Sequence, residues 1–376
     1  MTTIATVADY TMTTNMTNAT IIDEISVPQR IIIGVILLLI CIAGFCGNTL
    51  VIVACFLSKK LRTTTNIYII HLAIADLLSC LFQLWDIVGL WSLDGWPIWE
   101  GICVISATVS FTCLSFTIVD LAMIAINRYH KVLYPMQTYQ MVYTWRNVHI
   151  MTAIAWVYCA LVVIVPPLAG IGKLGYSFDL KTCASDETNP GAGLYTLITI
   201  GLIFPIPLVT IIFCYTKIFI FVSHHNKAFS ATRRKSSMRH ESVDPKKVRK
   251  PNPQTVQITK NLLYVVVAFM VCFIPYTIAV AVFPAARHWA GLLAMANSAI
   301  NPVIYGLKHP HFKEVFPYII KGEWKEIPEL VSIMHRFRSE RGSFKRGSRS
   351  GSKTMDTGVI SETGQSHSPP PTPMSP

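Results

Sequence analysis

The sequence predicts an all-α membrane protein: a seven-transmembrane helix bundle with a short amphipathic inner helix and disordered tails. Three observations carry that prediction. Apolar residues make up 52% of the 376 and charged residues only 14%, against about 25% charged in a soluble domain. The apolar residues fall in long blocks, each near the roughly 20 residues a helix needs to cross a bilayer core. Lys and Arg crowd alternate connections between the blocks, the pattern that fixes orientation in membrane proteins.

Residues 1–29 are rich in Thr, Asn and Met and have little to pack. Asn15-Met16-Thr17 and Asn18-Ala19-Thr20 match the glycosylation sequon, so Asn15 and Asn18 are expected on an extracellular glycosylated tail. No basic stretch followed by a short apolar core precedes the first block, and the first span is left to direct insertion. The seven blocks run over 30–57, 66–90, 101–126, 147–169, 193–222, 257–283 and 289–307, and 30–307 is read as the transmembrane domain. Lys59, Lys60, Arg62, Arg128, Lys131 and Arg146 fall on one side, while Lys173, Lys181 and Arg287 fall in the loops of the other. This predicts a multi-pass plasma-membrane protein with its N-terminus outside.

Beyond the last block, 308–320 reads as an amphipathic juxtamembrane helix built on His311-Phe312-Lys313-Glu314-Val315-Phe316, with Pro317 limiting its length. Residues 321–376 are expected to form a disordered cytoplasmic tail, too poor in apolar residues to fold. The net charge of +12 sits mainly in 223–255 and 331–353. In a membrane protein that reads as topology and contact with anionic membrane lipids, not nucleic acid.

Four groups of residues carry chemistry. Eight of the ten cysteines lie in or beside apolar blocks as small hydrophobes. Cys103 and Cys183 both face the outer, oxidising side, so a disulfide is expected between them. Asn48, Asp76, Asn297, Ser298 and Asn301 lie at membrane depth and must turn inward. Two readings of that set stay open: a sodium ion held at Asp76, since hard cations prefer oxygen, or a hydrogen-bond network with no ion. Pro207, Pro275 and Pro302 each remove a backbone bond inside a span and bend it. Arg128 stands at the lip of the third span, where it either snorkels to the headgroups or does something more specific.

Taken together these residues resemble the rhodopsin-like (class A) G-protein-coupled receptors over about residues 30–320. The resemblance rests on Gly47-Asn48, Leu72-Ala73-Ile74-Ala75-Asp76, Cys103, Asn127-Arg128-Tyr129, Trp156, Pro207 with Tyr215, Phe269 with Phe273 and Pro275, and Asn301-Pro302-x-x-Tyr305. One motif per helix, all in order, makes it specific. It implies a heterotrimeric G protein as partner, engaged by Arg128 and Tyr129 as the sixth helix swings out. Tyr215 and Tyr305 would then close on Arg128, with Asn301 and Pro302 in the same switch. It implies a packing trigger of Ile118, Pro207, Phe269, Phe273 and Pro275, with Phe273 where the family usually has tryptophan. It also implies an ion or water network of Asn48, Asp76, Asn297 and Asn301.

The departures are as informative. Asn127 replaces the acid that usually precedes the arginine, and Thr255 replaces a second acid on the sixth helix. Weaker restraint and some ligand-free signalling are expected. Asp120 is an acid deep in the third helix where the family rarely has one, and it is protonated, paired or turned to another helix. Ser110 stands where aminergic receptors carry an aspartate, which argues against an amine transmitter anchored there. Pro166 to Gly172, with Tyr176 and Cys183, resembles the opsins and the melatonin-like branch. Met295 takes the place of the retinal lysine, and no lysine lies between Lys260 and Lys308, so no retinal cofactor is expected. The pocket candidates are Trp85, Asp86, Ser110, Phe111, Phe273 and Met295, with Arg287 and His288 near the mouth. A small lipophilic ligand is the first reading and a peptide the second.

Serines beside Arg233-Arg234-Lys235 and in the tail would recruit arrestin-like proteins once phosphorylated. No cysteine follows Cys272, which leaves no palmitoyl site there. No inverted repeat supports a transporter, and no catalytic set supports an enzyme.

Overall fold

The computed structural model describes residues 25–239, 253–283 and 286–331, and within these the side chains other than 225–239, 253–255 and 280–281. The sequons at Asn15 and Asn18 and the serines of the tail lie outside the described residues, as do the side chains of Thr255 and of the serines beside Arg233-Arg234-Lys235.

Local signals start the first helices. α1 (Val27–Leu57) opens on a capping box, in which the Ser26 amide donates to Gln29 Oε1 at 3.0 Å. α2 (Thr64–Trp91) and α5 (Trp145–Leu168) open on threonine caps, Thr63 and Thr144, each accepting from the amide three residues on. Between them lie α3 (Glu100–Leu133) and a short α4 (Met136–Val142) that the hydropathy pattern does not announce. The chain then forms an antiparallel hairpin, β1 (Leu174–Ser177) and β2 (Thr182–Ser185), with Tyr176 opposite Cys183. The fifth span is two helices, α6 (Ala192–Ile203) and α7 (Pro205–Arg239). The break falls at Phe204, just ahead of Pro207, because Pro205 has no amide hydrogen to continue α6 and instead opens α7. α8 (Pro253–Val282), α9 (Arg287–Lys308) and α10 (Pro310–Ile320) follow, with Pro275 and Pro302 inside α8 and α9.

Among the described residues, seven helical stretches are long and apolar enough to cross a membrane. Their outward faces carry exposed Leu39, Phe56, Ile154 and Val209, an apolar coat that suits lipid and not water. Inside, α1 approaches its neighbours through glycines. A Cβ on Gly47 would come within 2.8 Å of Pro302, and one on Gly44 within 2.5 Å of the Cys80 sulfur. Arg30, buried near the start of α1, donates to the carbonyls of Leu90, Gly89 and Ser92. A cation thereby closes the C-terminal end of α2, where carbonyls have no partners of their own.

Two expectations about the end of the chain need correcting. Pro317 does not stop the amphipathic helix, since α10 continues through it to Ile320. The helix ends instead in a Schellman turn: Gly322 (φ 73°) donates to Ile319 O, and Glu323 to Tyr318 O at 2.8 Å. The tail is also not structureless from residue 321. Residues 323–330 double back, and Ile327 is buried in the main core. Lys59 N donates to Glu329 O at 2.9 Å, Ser58 Oγ donates to Pro328 O at 3.0 Å, and Ser58 pairs with Leu330 as an antiparallel bridge. The sequence masks this strap because the two residues that pack on the core, Ile327 and Leu330, are interspersed with charged residues and a proline.

If Ile327 anchors the strap, Ile327→Ala removes about 2 kcal/mol or more of local stability. Deuterium exchange over residues 310–330 should accelerate while the spans stay protected. Unchanged exchange there would show that the strap does not depend on this side chain.

Candidate functional site: a capped cavity leading to a polar seam

The hairpin is tied down across one end of the bundle. Cys103, near the start of α3, and Cys183, on β2, form a disulfide with Cα atoms 5.1 Å apart. The Cys183 amide donates to Asp86 Oδ1 on α2 at 2.9 Å. Gly89 is needed here, since a Cβ would lie 2.7 Å from the Lys181 carbonyl. Beneath the hairpin is a cavity of about 150 Å³, walled by α1, α2, α3, α8, α9 and β2.

Asp86, Ser110, Phe111, Phe273 and Met295 all line this cavity, as the sequence predicts. Trp85 does not. One step round α2 from Asp86, it packs instead against the disulfide cluster with Cys103 and Tyr176. Sequence reasoning misses Gln83, Thr117 and Tyr276, which also line the wall. Gln83 was legible, one helical turn before Asp86 on the same face. Arg287 and His288 stand at the cavity as well, and Arg287 meets Glu187 at 3.3 Å.

Ser79, Asn297 and Ser298 also line the cavity, and the polar seam begins at them. Asn301 Nδ2 donates to Asp76 Oδ2 at 2.8 Å. Asn48 Nδ2 donates to the Gly44 and Ser298 carbonyls at 2.9 and 2.8 Å. The side-chain oxygens of Asn48, Asn297 and Asn301 are buried and accept nothing. Next to the seam, Phe269 and Phe273 sit 4.4 Å apart, and Ile118, Pro207 and Phe269 are buried. Trp156 stacks on Phe116 at 4.0 Å and donates to His71 Nδ1.

At the far end Arg128 is buried, only 2% exposed, with its Nε unpartnered. Snorkelling therefore fails as its explanation, because the side chain does not reach out of the bundle. The Tyr215 and Tyr305 hydroxyls are buried and unpartnered too. Asn127 accepts from Thr65 Oγ1 at 3.0 Å and donates to the Tyr139 hydroxyl at 3.1 Å, joining α2, α3 and α4. Asn261 on α8 donates to the Lys308 carbonyl at the end of α9. Neutral hydrogen bonds thus hold this end together where an acid beside the arginine is missing. Asp120 is fully buried, and neither carboxylate oxygen has a partner.

The match to known proteins follows this geometry. The family model "7 transmembrane receptor (rhodopsin family)" matches residues 47–305. Mouse melatonin receptor type 1B is 28% identical over 292 residues, covering 74% of this chain and 75% of that protein. Mouse somatostatin receptor type 2 is 28% identical over 297 residues, covering 75% and 74%. The crystal structure of squid rhodopsin superposes with a TM-score of 0.67 at 24% identity, over 79% of this chain and 88% of that one. The chain belongs to the rhodopsin family of seven-transmembrane receptors. It is a multi-pass, ligand-binding member of a receptor family, not of an enzyme family.

His309, at the elbow between α9 and α10, carries a pH consequence. It is 2% exposed and both ring nitrogens lack partners. Burial, then the charge of Arg128 and then His311, pushes its pKa down to about 3. An imidazole released from the elbow returns to about 6.5. The opened state therefore takes up the proton first, and stability present above that value is lost as pH falls toward the buried one. Lowering pH from roughly 7.5 to 5 should cost about 2 kcal/mol through this residue. Melting curves at the two values should show a larger drop for the wild type than for His309→Leu. Equal drops would assign the loss to other groups.

Proposed function

We propose that the cavity end faces outside the cell and receives a small lipophilic ligand, and that the Arg128 end faces the cytoplasm and activates a heterotrimeric G protein. The observation that carries this reading is the set of unsatisfied groups at the Arg128 end. Arg128 Nε and the Tyr215 and Tyr305 hydroxyls are buried without partners, so a second packing that joins them gains bonds the present one lacks. A ligand that prefers that second packing shifts the population toward it. The basic residues Lys59, Lys60, Arg62, Lys131 and Arg146 on the same side support the orientation. A disulfide at the opposite end suits an oxidising exterior and plasma-membrane residence. Met295 offers no amine to retinal, so a Schiff-base chromophore is outside this reading. A peptide ligand is the second reading, favoured by the charged Arg287 and Glu187 pair at the cavity end. Arrestin-like proteins would bind once the serine segments are phosphorylated.

Nucleotide exchange on purified G proteins tests the core of the proposal. The receptor should accelerate exchange without ligand, because no carboxylate precedes Arg128. Asn127→Asp restores one, and a charge-assisted hydrogen bond of about 1.5–3 kcal/mol should cut basal exchange about tenfold or more. No acceleration with any G-protein subtype would overturn the reading.

Asp76 and the unpartnered amide oxygens of Asn48, Asn297 and Asn301 make an all-oxygen set, which fits sodium by donor chemistry. Bound there, the ion would supply positive charge that balances Asp76 and favours the present packing. The purified protein should melt higher in sodium chloride than in choline chloride, and Asp76→Asn should erase the difference. Identical melting of the wild type in both salts would remove sodium from the account.

A further inference from the structure

The cavity contains a buried carboxyl group that no cationic side chain balances among the described residues. This inference rests on the reading of that cavity as the ligand site. Asp86 is the acidic side chain lining it and Arg287 the strongly basic one. Arg287 is matched by Glu187 at 3.3 Å. Asp86 is 3% exposed and accepts one hydrogen bond, from the Cys183 amide to Oδ1. No cationic side chain pairs with it among the described residues. Arg30, which reaches α2 one turn further on, is committed to the carbonyls of Leu90, Gly89 and Ser92.

A carboxylate taken out of water without a counter-charge is costly, and the cost falls when a cation enters. Around Asp86 the walls are otherwise suited to a flat apolar body, with Phe111, Phe273 and Tyr276 facing in. Ser110 Oγ is buried and unpartnered, a second polar contact on α3. Ser110 removes only the acid that α3 would have supplied, while α2 supplies one from its own face.

We propose that Asp86 receives a basic nitrogen of the ligand: the cavity takes an aromatic, lipophilic group carrying a protonated amine, amidine or guanidine. That group belongs either to a small molecule or to the end of a peptide. The amide of Cys183 holds the carboxylate in place, so hairpin and ligand read the same side chain from two directions. An uncharged ligand of the same shape leaves the carboxylate unbalanced and binds more weakly.

Matched pairs test this on the purified full-length protein by thermal-shift titration. One pair is 5-methoxytryptamine and melatonin, its uncharged N-acetyl form. A second is benzamidine and benzamide. A third is N-acetyl-phenylalanyl-arginine amide and its norleucine twin, which separates a peptide source from a small molecule. The wild type should bind the charged member of at least one pair about tenfold or more tightly than its twin. Asp86→Asn keeps an oxygen for the Cys183 amide and loses the charge, so the preference should shrink to about twofold or less. Gln83→Lys places an ammonium one turn away on the same face of α2 and should erase the preference too, which covers the case in which Asp86→Asn does not fold. No preference in any pair, or a preference that survives these changes, overturns the inference. Nucleotide exchange on G protein, measured in parallel, keeps the two readings apart. Exchange without amine preference sinks the inference alone, and amine binding through Asp86 without exchange sinks the proposed function alone.

Discussion

Inside a hydrocarbon layer a polar side chain has no water to fall back on, and the interior of this bundle is arranged by that constraint. Asp76 finds Asn301, Asn48 finds two carbonyls, and Asn127 finds Thr65 and Tyr139. Apart from the Asn48–Gly44 bond, which lies within α1, these bonds run between helices. They therefore select which faces of α1, α2, α3 and α9 meet, and the apolar packing fills in around that choice. Gly44 and Gly47 let the backbones come close enough for the bonds to form.

The same constraint makes the unsatisfied groups informative. Buried polar atoms in folded proteins nearly always have partners. Among the described residues most of the exceptions lie along the seam and at the Arg128 end, with Ser110, Ser185, Thr199 and His288 toward the cavity end, while the lipid-facing surface is apolar. A seam only partly satisfied in one packing is what a two-state device needs, because another arrangement of the same helices can gain what this one lacks. The disulfide and the Cys183–Asp86 hydrogen bond tie one end together, which leaves the other as the end where the proposed rearrangement would fall.

Much of the architecture was legible in the sequence. The spans announce themselves through length and apolar density, and the single polar residues within them stand out against that background. Cys103 and Cys183 could be paired from exposure to an oxidising side. What was not legible depends on tertiary context. α4 and the hairpin lack strong local patterns. Arg30 looks like an ordinary interfacial basic residue until its guanidinium meets the end of α2. Trp85 and Asp86 are adjacent in sequence, and only the rotation of α2 decides that Asp86 enters the cavity and Trp85 meets the disulfide cluster. Residues 321–330 read as tail by composition, yet Ile327, Leu330 and the contacts of Ser58 and Lys59 with Pro328, Glu329 and Leu330 dock them.

Asn127 has a consequence beyond restraint. With an amide beside Arg128, the guanidinium keeps its field instead of having it cancelled by an adjacent carboxylate, and Lys131 one turn on has the same sign. An acidic segment approaching this end is drawn in over about 10 Å, the Debye length at moderate ionic strength. Capture there is governed by counter-ions in solution as well as by shape, so added electrolyte slows encounter long before it disturbs the bundle.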